Sequence, residues 1–149
     1  MPVKSQFSYR LIHVAIVVRD IGEAIKRLTN LGMGPFEPFD PGSLPEITEK
    51  SLYKGRPFTP DFKLYTGKMG ELDVEIIEPG KGESPWRDFL DDKGDGIHHL
   101  AFSVDDLDKE IAELTEQGAK VIFSAKWRGG GSAYMDLGFA NMVIELEKK

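Results

Sequence analysis

The chain has no cysteine. Disulfides, thiolate metal sites and cysteine nucleophiles are therefore excluded together. Long apolar runs are also missing: none approaches the roughly 20 residues that span a bilayer. The opening stretch from Met1 to Phe7 lacks the apolar core of a secretory signal. Positive charge is in deficit, with 19 Lys and Arg against 25 Asp and Glu and a net charge of −6. With no basic stripe, nucleic acid is not an expected partner. A cytoplasmic address is the resulting expectation. What is present is ordinary for a globular protein: 149 residues, 40% hydrophobic and 30% charged. That is one domain's worth of chain, residues 1–149, able to bury roughly 70% of its unfolded surface.

Histidine is scarce, with three in the chain, and two of them open a repeat. Residues 13–33 and 99–119 align without a gap at an offset of 86, and eight of the 21 pairs are identical. The identities are His13/His99, Ala15/Ala101, Val18/Val104, Asp20/Asp106, Ile25/Ile111, Leu28/Leu114, Thr29/Thr115 and Gly32/Gly118. Self-similarity at one fixed offset marks a duplicated structural unit. Two copies of one unit place two imidazoles at symmetry-related positions.

Each copy reads as strand, then helix. Over 9–18, alternation sets His13, Ala15 and Val17 against Val14, Ile16 and Val18. Asp20 stands at the N-cap position. Ile21, Ala24, Ile25, Leu28 and Leu31 form a helical stripe that Gly32 and Gly34 stop. The second copy has a strand at 97–104, a cap at Asp106, a stripe of Leu107, Ile111 and Leu114, and a stop at Gly118. Further strands are predicted at 36–39, 62–66 and 72–77, and at 120–123, 133–137 and 142–146. The pattern is α+β, two βαβββ modules at about 8–78 and 96–147 that form a cupped mixed sheet with helices on its outer face. A linker helix at about 84–94 starts at the Ser84-Pro85 cap pair and ends at Gly94-Asp95-Gly96. Residues 35–60 interrupt the first module and hold six of the nine prolines. Proline there argues against interior strand or helix, and so long a loop is commonly functional. Gly129-Gly130-Gly131 reads as a second flexible loop.

Four strand positions carry a ligand-capable side chain among aliphatic neighbours. Two are His13 and His99. Glu75 lies between Val74 and Ile76, and Glu145 between Ile144 and Leu146. Because side chains alternate across a strand, all four are consistent with one concave face whose reverse packs under helices. Ala15, Ala101 and Ser103 share that face and leave room for a cavity. Two imidazoles and two carboxylates suit a divalent ion, with Co, Ni, Zn, Mn and Fe all compatible. Such an ion polarises a bound carbonyl, and a neighbouring carboxylate moves a proton at the α-carbon. His98 faces the helix side by alternation and reads as a packing or supporting residue beside His99. Taken singly, each of these residues has an ordinary structural explanation; the repeat is what groups them.

These segments resemble the vicinal oxygen chelate superfamily, and within it the methylmalonyl-CoA epimerase branch. The likeness runs from Tyr9 to Glu147. It is carried by Leu11-Ile-His-Val-Ala-Ile-Val-Val-Arg-Asp, Val74-Glu-Ile-Ile-Glu-Pro and Met142-Val-Ile-Glu-Leu. Ser84-Pro-Trp-Arg-Asp-Phe-Leu leading into Gly94-Asp-Gly-Ile-His-His-Leu-Ala-Phe is the part similar to the epimerases. The resemblance implies His13, Glu75, His99 and Glu145 as metal ligands, with Glu145 also the catalytic base, and a homodimer. It implies an isomerase acting on an acyl thioester through a metal-stabilised enolate. Two positions depart from the epimerases. Their second carboxylate base falls where this chain reads Phe58-Thr-Pro-Asp-Phe-Lys, which leaves Asp61 nearby and Glu46 or Glu49 in the loop. Glu75 stands where some epimerases have Gln, as in the glyoxalase I branch.

Three other activities fit the same fold: a glyoxalase-I-like lyase on a hemithioacetal, a ring-cleaving dioxygenase, and a small-molecule binding protein. A fourth protein ligand argues against the dioxygenase, which prefers two His and one carboxylate. Binding proteins of this fold usually need no metal. Lys54, Arg56, Lys126 and Arg128, together with Lys50, are the candidate contacts for an anionic substrate, although each is equally well a solvated loop charge.

Overall fold

In the computed structural model, which describes residues 9–40 and 50–149, the backbone polar groups of ten strands pair into one open mixed sheet. The elements are β1 (Arg10–Val17), α1 (Ile21–Asn30), β2 (Glu37–Phe39), β3 (Leu52–Tyr53), β4 (Arg56–Pro57), β5 (Phe62–Met69) and β6 (Leu72–Pro79). They continue with α2 (Pro85–Lys93), β7 (Gly96–Ser103), α3 (Leu107–Glu116), β8 (Lys120–Trp127), β9 (Gly130–Asp136) and β10 (Val143–Lys148). The strand order is β2-β5-β6-β1-β7-β10-β9-β8-β3-β4. The two repeats meet at the centre, where β1 and β7 run antiparallel. No helix among the described residues is long and apolar enough to cross a membrane.

The 86-residue offset is preserved in the hydrogen bonding. Val14 pairs with Leu100, its own equivalent in the other repeat. His13 pairs with Ala101 while Ala15 pairs with His99. Leu11 pairs with Phe102 while Ile16 pairs with Ile97. Swapping the repeats returns the same list, so a pseudo-twofold axis passes between Val14 and Leu100. The list also skips one residue on each strand, Ile12 on β1 and His98 on β7. Each is a β-bulge at which the alternation of faces is interrupted.

Three aspartate and serine caps start the helices as the sequence predicts. Asp20 accepts from the Glu23 N–H, Ser84 from Arg87 and Asp106 from Lys109. Helix α1 lays Ile21, Ala24, Ile25 and Leu28 on Ile16, Val18, Val74 and Ile76. Leu31, the predicted end of that stripe, is instead the helix C-cap and 72% exposed. Helix α3 lays Leu107, Ile111 and Leu114 on Ala133, Met135, Ile144 and Leu146. Both cover the outer face. Helix α2 packs on the other side, where Trp86 and Leu90 join the inward residues Ala15, Val17, Ile77, Phe123 and Tyr134. It closes one end of the concave face with an aromatic cluster. In that cluster Phe62 of one repeat and Phe123 of the other both contact Trp86, at ring distances of 4.7 and 5.7 Å.

The described parts of the 35–60 segment, residues 35–40 and 50–60, hold more regular structure than the prolines suggest. It supplies β2 on one edge of the sheet and the β3–β4 hairpin on the other, so Pro38 and Pro57 occupy short outer strands. Proline is tolerated there because an edge strand has N–H groups that need no ladder partner. Tyr53 and Phe58 of this segment enter the aromatic cluster. The glycine run is corrected as well: only Gly129 is in the turn, with φ of 83°, and Gly130 and Gly131 are in β9. A Cβ on Gly130 would stand 2.2 Å from the Lys148 carbonyl oxygen, so glycine there permits close strand approach.

Candidate metal centre

The inner face of the four central strands is laid out in rows across the sheet. One row runs Glu75 on β6, Ala15 on β1 and His99 on β7. Its symmetry mate runs Glu145 on β10, Ala101 on β7 and His13 on β1. In each row an alanine with no exposed surface separates the carboxylate from the imidazole. A larger residue at either alanine would fill the space between them. The four residues selected by alternation thus meet on one face, two from each repeat.

Ligand atoms of His13, His99 and Glu145 all lie within 4.8 Å of one another. Glu75 joins through His13, whose Nε2 is 3.2 Å from Glu75 Oε2 and 3.5 Å from Glu145 Oε1. The three residues of the tight cluster are buried, at 8%, 1% and 7% exposure for His13, His99 and Glu145. Glu75 is partly open to solvent. The Nε2 atoms of both histidines are buried with no hydrogen-bond partner. A buried, unsatisfied polar atom costs about 1–3 kcal/mol; His99 Nε2 is one, and a divalent cation would satisfy it together with His13 Nε2 and the carboxylates beside it. The donor set, neutral imidazole nitrogen with carboxylate oxygen, fits Zn, Co, Ni, Fe or Mn.

Electrostatics divides the two imidazoles. Burial drives His99 well below the ordinary histidine value, with His98 and His13 adding to the effect. Burial also opposes charge on His13, but Glu75, Glu145 and Glu147 outweigh it and raise its proton affinity. Glu145 is pushed up to about 8, chiefly by burial, with Glu75 and Glu147 adding and His13 and Ser132 opposing. The Ser132 hydroxyl donates to Glu145 Oε2 at 3.3 Å.

These groups sit in a cavity of about 1100 Å³ lined by His13, Glu75 and Glu145. Phe62, Trp86, Phe123 and Tyr134 form its aromatic wall, with Leu64 beside them, and Trp86 Nε1 donates to the Tyr134 hydroxyl at 3.1 Å. Arg10, Lys68, Asp73, Glu147 and Lys149 also line it. The cations proposed from the sequence stand elsewhere. Lys54 pairs with Asp88 at 3.3 Å and Arg56 with Glu83 at 3.0 Å, and neither they nor Lys126 and Arg128 line the cavity. Arg10 was missed because the bulge at Ile12 sets it opposite Ser103, on the inner face. Asp61 lies against Gly80 at a strand end and does not line the cavity. Glu46 and Glu49 lie outside the described residues.

His98 is also corrected. Its bulge turns it inward, so it packs on Phe89 of α2 and on Tyr134, at ring distances of 5.1 and 5.4 Å. Its Nδ1 is 2.7 Å from His99 Nδ1.

The fold recurs in known proteins. Over 55 residues the chain is 36% identical to uncharacterized protein YqjC of Bacillus subtilis (strain 168), a match covering 37% of this chain and 39% of that protein. The structure is similar to that of hypothetical protein BH1468 from Bacillus halodurans C-125, with a TM-score of 0.68, 25% identity and 95% of each chain covered. It also has the fold of methylmalonyl-CoA epimerase from Mycobacterium tuberculosis (TM-score 0.66, 22% identity, 99% and 92% covered). A Streptomyces coelicolor methylmalonyl-CoA epimerase solved with 2-nitronate-propionyl-CoA gives a TM-score of 0.67 at 16% identity, with 94% and 96% covered. A family model matches residues 12–139, a span that takes in His13, Glu75 and His99, and the chain belongs to the glyoxalase/bleomycin resistance protein/dioxygenase superfamily.

Proposed function

We propose that this protein is a metal-dependent isomerase that moves a proton at the α-carbon of an acyl thioester, in the manner of methylmalonyl-CoA epimerase. The observation that carries the reading is the buried cluster of His13, His99 and Glu145, with Glu75 3.2 Å from His13 Nε2, beside a cavity large enough for an acyl group. His13, Glu75, His99 and Glu145 hold the ion. When bound, it supplies Lewis-acid polarisation of the thioester carbonyl, which makes the α-proton more acidic.

The remaining chemistry belongs to the chain. Glu145, the deeply buried carboxylate of the cluster, takes the α-proton. Ser132 holds one of its oxygens and leaves Oε1 turned toward His13. The aromatic wall excludes water and receives the apolar part of the acyl group, while Arg10 and Lys149 meet the anionic part. Asp73 and Glu147 are the other carboxylates that line the cavity and the candidates to return the proton in place of the displaced Asp61. A homodimer accompanies this reading, and sedimentation tests it.

The experiment is proton exchange. The protein is incubated with methylmalonyl-CoA and Co²⁺ in deuterated water, and α-deuterium is followed by mass spectrometry. Uptake that Glu145→Gln abolishes supports the reading; uptake no faster than without protein overturns it. The carboxylate at Glu75 favours a second reading, a glyoxalase-I-like lyase. Metal-dependent conversion of a methylglyoxal hemithioacetal, without deuterium exchange in the thioester, selects it.

A further inference from the structure

His98 is absent from the ligand set, yet its geometry ties it to one ligand. In a regular strand the side chains of consecutive residues point to opposite faces. The β7 bulge breaks that rule and puts His98 and His99 side by side, ring centroids 5.0 Å apart and nearly perpendicular at 82°. Their Nδ1 atoms meet at 2.7 Å in a buried hydrogen bond. Two neutral imidazoles joined this way have one donor and one acceptor, so the bond links their tautomers. If His99 Nδ1 donates, its Nε2 carries a lone pair. If His98 donates, His99 Nε2 carries a hydrogen and cannot ligate a metal.

The surroundings distinguish the two cases. His99 Nε2 is buried and has no hydrogen-bond partner, and His99 belongs to the cluster with His13 and Glu145. A lone pair there is what a divalent cation takes up, whereas an N–H could not bind one and would be left buried without an acceptor. We propose that His98 is a positioning residue that accepts the His99 Nδ1–H and thereby holds His99 Nε2 as a lone-pair donor facing the metal centre. The role rests on the reading of His99 as a metal ligand. It belongs to one repeat only, because the equivalent bulge in β1 carries Ile12. His13 lacks this support and has the Glu75 and Glu145 carboxylates beside its Nε2 instead. Phe89 of α2 sits edge-on to the His98 ring at 5.1 Å, so the linker helix fixes His98, and His98 fixes the ligand.

Two measurements test this. Long-range ¹H–¹⁵N spectra of the metal-free protein report which His99 nitrogen bears the proton. Calorimetric titration with Co²⁺ alone reports affinity. The expected results are a protonated Nδ1 on His99 in the parent protein and a mixture of tautomers in His98→Phe. Co²⁺ affinity falls roughly 10- to 100-fold in that variant, the usual effect of losing a group that orients a ligand. His98→Asn, whose side-chain carbonyl can accept the same hydrogen, recovers part of the loss and serves if the Phe variant does not fold. A proton on His99 Nε2 in the parent overturns the proposal, as does His98→Phe binding Co²⁺ with unchanged affinity. If the parent binds no Co²⁺, the metal-dependent function fails, and the tautomer spectra still decide the role of His98.

Discussion

Glu145→Gln separates the two faces of the buried cluster: a liability in the metal-free protein, a ligand in the loaded one. Glu145 has a folded pKa of about 8, above its ordinary value of 4.5, mainly through burial. Between those values the folded state keeps a proton that the unfolded chain has released, so stability falls as pH rises. The slope for one group is at most about 1.4 kcal/mol per pH unit. His98 and His99 act in the opposite sense below 6.5. Burial lowers His98 to about 4 and holds His99 well below its ordinary value, so the unfolded chain takes up protons that the folded state refuses. Metal-free stability therefore peaks near pH 6.5. From there to pH 8, Glu145 accounts for a loss of about 2 kcal/mol, and the raised His13 adds to the loss. Urea unfolding of chelator-treated protein, followed by tryptophan fluorescence at both pH values, should show Glu145→Gln losing about 2 kcal/mol less than the parent. With a divalent ion bound the trend reverses, because ligands bind deprotonated and higher pH strengthens the site. Parallel pH profiles for parent and variant in the metal-free state would refute the reasoning.

Three further outcomes follow from the fold. Asp20→Ala and Asp106→Ala remove equivalent caps from the two repeats, and each should cost about 1 kcal/mol in urea unfolding. Gly130→Ala forces a methyl against the Lys148 carbonyl and Trp127, an overpacking worth about 1–3 kcal/mol that lowers the thermal midpoint. Leu90→Ala empties the contact of α2 with the inner face, where Leu90 is fully buried. It should cost about 2–5 kcal/mol and sharpen hydrogen exchange in α2 before the rest of the sheet.

The sequence reveals the site more fully than its surroundings. Period-two alternation in β1, β6, β7 and β10 selects the four residues that the rows bring together, because those strands pack under α1 and α3 and their outer faces are necessarily aliphatic. The offset of 86 carries the pseudo-twofold axis directly into the pairing of Val14 with Leu100. The bulges were hidden, since a skipped residue is a property of two paired strands and neither strand alone records it. Everything downstream of them was hidden too: the inward turn of His98 and the access of Arg10 to the cavity. The β3–β4 hairpin escaped notice for a related reason. Its partner is β8 of the other repeat, some 70 residues away, and two-residue strands leave no periodicity to read. For the glycine run, composition pointed to flexibility, whereas the close approach of Lys148 and Ala125 explains Gly130 and Gly131 as strand residues.

The central claim is that two buried imidazoles and two carboxylates, one of each from each repeat, hold a divalent cation. Titration calorimetry of chelator-treated protein with Co²⁺, run beside His99→Ala and Glu75→Ala, tests it most directly. The account predicts one ion per chain in the parent, no detectable binding in His99→Ala, and weakened binding in Glu75→Ala, with both variants folded by circular dichroism. Binding of equal strength in the parent and His99→Ala, or no binding in a folded parent, would contradict it.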